Sequence, residues 1–239
     1  MVKINVTMKL NLCYLSLLVL ASSLSVTSQT TVPETDFQIW NETTFILPVV
    51  RSKDEKGKRF DRLSLLLITS LRVGQNRFAP VDERIGGGLD LVINKYFNVS
   101  PTYLYVAGQP GRQRSEFEHR LRFEVGYSHK FKYFQIKDRN RIEYRFRHSR
   151  TNSVRYRNRF SLGVPVTRDK KEIFMPFVSD EVFYDFAAKR WSRNELIFGI
   201  QKKFNDHLTS EFFYNWRRNR SGLPQTVRAV GVNLKVKLK

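Results

Sequence analysis

The sequence predicts an all-β fold, a closed antiparallel up-and-down transmembrane β-barrel with an arginine-rich lumen. Three observations lead there: an N-terminal export signal, repeated strands of spanning length with one apolar and one charged face, and alternating short and long links between them.

The export signal comes first in the chain. Lys3 and Lys9 precede an apolar run from Leu10 to Leu20, followed by small residues up to Ser28, which is the three-part pattern of a secretory signal peptide. Val26 and Ser28 fit a small-x-small cleavage site, with a cut after Ser23 as the alternative. Residues 1–28 are therefore expected to be removed and 29–239 to form one barrel domain. Cys13, the single cysteine, lies inside the apolar run; its loss would leave no thiol, disulfide or cysteine metal site. Lys and Arg total 42 against 22 Asp and Glu, a net +20, and removing Lys3 and Lys9 lowers this only to +18. Such basicity alone suits nucleic acid or an anionic surface. Export, and the alternation of the arginines with apolar residues, argue against nucleic acid.

Beyond the signal no stretch approaches the ~20 consecutive apolar residues of a membrane helix, so a membrane would have to be crossed by strands. From Glu116 to Phe131, Phe117, Leu121, Phe123, Val125, Tyr127 and Phe131 alternate with Glu116, Glu118, Arg120, Arg122, Glu124 and Lys130, a period of two. Ile142, Tyr144 and Phe146 then alternate with Arg141, Glu143, Arg145 and Arg147; Tyr156, Phe160, Leu162 and Val164 alternate with Arg155, Arg157 and Arg159. These segments run to roughly ten to fifteen residues, against ~5–6 for globular strands and ~9–11 for tilted membrane strands. Further strands are expected at 37–49, 63–73, 84–93, 99–106, 173–184, 195–202, 208–216 and 227–238, eleven in all. Closed bacterial barrels normally have an even number. An additional strand before Asp36 would make twelve, and ten with one outlying strand is the alternative.

Short links at 94–98, 132–134, 167–171 and 205–207 alternate with longer ones at 75–82, 109–115, 187–193 and 218–225, the expected contrast of internal turns and external loops. Trp40, Trp191 and Trp216, with Tyr103, Tyr105, Tyr127, Tyr144, Tyr156 and Tyr214, are candidates for interfacial aromatic girdles.

The basic positions Arg120, Arg122, Lys137, Arg139, Arg141, Arg145, Arg147, Arg155, Arg157 and Arg159 share the face opposite the apolar one, which in a barrel is the lumen. Such a wall would focus positive potential on small anionic solutes and suggests a narrow anion-favouring channel. The other reading has Glu116, Glu118, Glu124 and Glu143 neutralise Arg120, Arg122, Arg145 and Arg147 in a packed, structural interior. A lipid-modifying hydrolase is the competing class; it would need a nucleophile and a histidine base within reach. His119, His129 and His148 share the parity of the apolar faces, however, and His207 falls in a turn. Glu181 and Asp185, with Asp180, could form a carboxylate group for acid-base work or a divalent ion near a strand end, although exposed acidic decoration explains them better. Gly86-Gly87-Gly88 lacks the Lys-Ser/Thr of a phosphate loop and reads as close packing within a strand. No catalytic residues, metal site or cofactor are assigned.

The opening Asp36-Phe37-Gln38-Ile39-Trp40, the paired-basic strands Glu118-His119-Arg120-Leu121-Arg122 and Arg141-Ile142-Glu143-Tyr144-Arg145, and Arg155-Tyr156-Arg157-Asn158-Arg159 resemble an uncharacterised family of bacterial outer-membrane β-barrels carrying a domain of unknown function. The resemblance spans most of the mature chain and implies the fold and an outer-membrane location, with outer-membrane lipid, lipopolysaccharide and the barrel-insertion machinery as partners. It implies no activity. The chain departs from many such barrels at its end, Val236-Lys237-Leu238-Lys239, where they carry an aromatic residue.

Overall fold

A computed structural model describes residues 34–238 except 55, 56, 58, 75–77, 112, 113, 149 and 170. The proposed signal peptide, and the additional strand expected before Asp36, lie outside the described residues. Those described form twelve strands: β1 (Thr35–Lys53), β2 (Arg59–Gly74), β3 (Ala79–Val92), β4 (Phe97–Gly111), β5 (Arg114–Lys130), β6 (Gln135–Arg147), β7 (Ser153–Gly163), β8 (Val166–Arg168), β9 (Lys171–Asp185), β10 (Arg190–Lys203), β11 (Leu208–Asn219) and β12 (Thr226–Lys237). Each of the eleven expected segments overlaps one of these strands. β8 is the twelfth, a three-residue strand folded back on β9 where a turn was expected.

Eleven strands close into one wall. Neighbours pair antiparallel from β1 through β7, then β7 with β9, β9 with β10, and so on to β12. The ring is completed by β12 against β1, which run parallel, with Thr35 opposite Thr226 and Ile46 opposite Lys237. This seam is how an odd count closes, and it departs from the all-antiparallel ring expected. An open edge would leave a row of backbone N–H and C=O groups unpaired, which hydrocarbon does not tolerate, whereas a slightly weaker parallel pair satisfies them.

Burial is inverted relative to a water-soluble domain. Glu143 is 0% and Glu181 2% exposed, while Leu121 and Phe123 are 51% and 52% exposed. Most charged side chains of the wall point inward and most large apolar ones outward, the pattern of a barrel in lipid. Aromatic groups gather toward both rims. Tyr184 packs on Trp191 (5.3 Å) and Phe186 (5.2 Å) at the rim carrying the β9–β10 turn, here called upper; His129 packs on Tyr96 (5.1 Å) and Phe131 (4.2 Å) at the lower.

Two expectations change. The contrast between short and long links is not a feature of the described wall: residues expected as upper loops at 79–82, 109–111 and 190–193 belong to strands. Antiparallel neighbours continue their ladder past the apolar belt because paired backbone is favourable in water as well as in lipid. Trp40, assigned to a girdle, is 5% exposed on the inner face beside Gln38 and Asp36.

Gly86, Gly87 and Gly88 lie in mid-β3. A Cβ at Gly86 would stand 2.0 Å from the Tyr103 carbonyl oxygen, one at Gly88 2.2 Å from that of Pro101, and one at Gly87 2.6 Å from that of Leu66. The run lets β3 approach its neighbours more closely than any side chain allows.

Candidate functional site

The candidate site is the lumen. All nine arginines assigned to the basic wall, Arg120 and Arg122 on β5, Arg139, Arg141, Arg145 and Arg147 on β6, and Arg155, Arg157 and Arg159 on β7, fall on the inner face of their strands. The register sets them side by side, with Arg120 opposite Arg145, Arg141 opposite Arg157 and Arg139 opposite Arg159. Like charges at such spacing require counter-charges between them.

Four glutamates were expected to supply these, and three do so in the interior. Glu118 accepts from Arg120 Nε at 2.7 Å and from Arg145 Nη2 at 2.8 Å. Glu143 accepts from Arg155 Nη2 at 2.7 Å and Arg157 Nη1 at 2.8 Å. Glu124 accepts from Arg141 Nε at 2.7 Å. Glu116 instead sits at the upper rim, where it meets Arg150. Arg122, expected to pair with a glutamate, donates to the Thr102 hydroxyl at 2.9 Å.

Carboxylates on other strands add further counter-charge to the interior. Glu181, considered for a rim cluster, lies deep in the lumen and joins Arg157 (2.7 Å) and Arg139 (2.8 Å). Glu195 accepts from Arg217 at 2.8 Å, and Asp82 from Arg84 Nη2 at 2.9 Å. Arg157 therefore spans from Glu143 to Glu181 and ties β6 and β7 to β9. Glu181 separates from its supposed partners: Asp185 accepts the N–H groups of Ala187 and Ala188 in the β9–β10 turn, and Asp180 points outward. The parity of Glu181 with Ser179 and Phe183 was the signal for its inward position. For Arg72, Arg84 and Arg193 the alternation is unclear, because Gly, Asp or a bulge interrupts their strands.

Arg72 and Arg217 stack on the Trp40 ring at 3.8 and 4.4 Å from its centroid, a cation–π contact that holds guanidinium groups without neutralising them. Arg72 has no carboxylate within 4 Å among the described residues. Phe183 is similarly surrounded by Arg155, Arg157 and Arg193, at 5.3, 4.5 and 5.3 Å.

Among the described residues, three cavities follow one another along the lumen. The upper vestibule, about 680 Å³, is lined by ten arginines against five carboxylates. The middle one, about 70 Å³, lies among Trp40, Glu42, Arg139, Arg141, Arg157, Arg159 and Glu181. The lower one, about 210 Å³, has Lys137, Arg139, Arg159 and Lys235 against Glu42, Glu124 and Glu211. The constriction thus coincides with the ion-pair layer built around Arg157.

The histidines are engaged elsewhere. His119 Nδ1 meets the Tyr103 hydroxyl at 2.7 Å on the outer face, and His207 Nδ1 the Lys237 carbonyl at 3.0 Å in a turn. No hydrogen bond joins a histidine to a serine among the described residues.

The fold is similar to that of a NanC porin, at 11% identity and a TM-score of 0.48, covering 84% of this chain and 99% of that one. It is also similar to an anion-selective porin from Comamonas acidovorans, at 10% identity and a TM-score of 0.36, covering 78% of this chain and 59% of that one. No curated protein matches the sequence. Residues 28–227 match the model of the family described as protein of unknown function, DUF2490, and the chain belongs to that family.

Proposed function

We propose that the protein is a narrow, anion-favouring channel of a bacterial outer membrane, open to small anionic solutes. The observation that carries the reading is the upper vestibule, where arginines outnumber carboxylates ten to five. Ion pairs neutralise part of this wall, but they cannot neutralise the excess. A surplus of fixed positive charge in a cavity with low-dielectric walls attracts anions and repels cations. Small solutes would have to pass the ion-pair layer at the middle cavity, which sets a small size limit. The apolar outer face suits outer-membrane lipid and lipopolysaccharide, and placement there would call on the export and barrel-insertion machinery.

The test is conductance in planar bilayers under a salt gradient. The full-length mature protein should conduct with a reversal potential of anion-selective sign, and Arg72→Gln combined with Arg122→Gln should move that potential toward zero. Among the described residues neither guanidinium has a carboxylate within 4 Å, so their loss removes field without breaking a direct ion pair. A silent wild-type protein that is folded and inserted would overturn the channel and leave a structural barrel.

A further inference from the structure

The outer wall carries a polar group where lipid chains should lie. Asp138 and Asn140 on β6, Tyr156 and Asn158 on β7, Asp180 on β9 and Asn194 on β10 all have the outward parity of their strands, near mid-wall. Asp138 accepts from Asn140 at 2.8 Å and from Asn158 at 2.7 Å; Tyr156 donates to Asn140 Oδ1 at 2.5 Å; Asn194 donates to Asp180 at 2.6 Å. Exposed apolar residues frame the group, among them Ile142, Phe160 and Phe198.

Hydrocarbon offers nothing to a carboxylate, and ionisable groups on a lipid face are costly and mark functional contacts. A single cation is poorly suited to both acids, because Asp138 and Asp180 are each register partners of Phe160 and stand a full strand apart. The group is instead self-complementary. Asn140 and Asn194 each retain an amide hydrogen with no acceptor among the described residues, and Asp180 Oδ2 retains acceptor capacity. A second copy turned about a two-fold axis offers donors to acceptors and acceptors to donors, and interhelical-style polar contacts of this kind hold membrane proteins together. We infer that this face of β6, β7, β9 and β10 is a two-fold contact between copies of the chain within the membrane.

Val182 is the register partner of both Asn158 and Asn194, and so lies at the centre of the face. In a Cys13→Ser background reconstituted into lipid, Val182→Cys should cross-link to a dimer on oxidation, whereas Leu67→Cys on the far wall should not. Asp180→Leu with Asn194→Leu should yield monomers by mass measurement while keeping the heat-dependent gel mobility of a folded barrel. The inference fails if wild type is monomeric in lipid, if Leu67→Cys cross-links as readily, if the apolar variant still dimerises, or if a chelator dissolves the dimer.

Discussion

Replacing Glu143 with alanine is expected to cost the barrel about 3–5 kcal/mol, the usual consequence of removing one partner from a buried ion pair. Glu143 is 0% exposed and receives Arg155 and Arg157, with Arg141 at 3.5 Å. Its removal leaves three guanidiniums facing one another with only Glu181 and Glu124 to share. Urea unfolding of protein refolded into lipid, followed by tryptophan fluorescence, measures the loss as a lower midpoint. Glu143→Gln should fall between alanine and wild type, because the amide oxygen still accepts a hydrogen bond while the charge is gone. The contrast is Lys130–Glu172, a 2.7 Å pair with a half-exposed lysine. Glu172→Ala should change stability by only about 0–1 kcal/mol, as exposed pairs do. Equal losses at the two sites would mean that the lumen is as wet as the surface and that the ion-pair layer is no constriction.

Gly86→Val is expected to prevent the barrel from closing in its native register. Overpacking a tight site commonly costs about 1–3 kcal/mol when side chains can move aside. Here even the Cβ would stand 2.0 Å from the Tyr103 backbone oxygen and 2.8 Å from the Leu104 Cα, so β3 and β4 themselves would have to separate. The variant should lose the heat-dependent gel mobility of a closed barrel under conditions where wild type keeps it. Gly108→Val is the control, since a Cβ there has its nearest neighbour at 3.6 Å and should leave the fold intact.

These two sites mark the reach of sequence reading. The glycine run was legible as a close approach, since nothing else about it suited a phosphate loop. Glu143 was legible as an inner counter-charge because it alternates with Ile142 and Tyr144 in an uninterrupted strand. Arg217 and Glu195 were not legible, because their pairing crosses from β11 to β10 and each strand alone shows an ordinary charged residue. Trp40 was misplaced for a related reason. Tryptophan ordinarily belongs at a membrane interface, and only the arrival of Arg72 from β2 and Arg217 from β11 makes an inward ring favourable. The outward pair Asp138 and Asn140 is masked in the sequence by the inward Lys137, Arg139 and Arg141 that alternate with it.

By itself, the sequence determined the all-β class, the position of eleven spanning strands and the sidedness of β5, β6 and β7. The physical reason is local: side chains alternate across a strand, so a period of two with one apolar and one charged set specifies both strand and faces. Only the tertiary structure decided the parallel seam between β12 and β1, the ion-pair layer spanning Arg157, and the polar group on the outer wall. Each depends on which strands become neighbours and in what register, and backbone hydrogen bonding, indifferent to side-chain identity, leaves that choice to the closure of the whole ring.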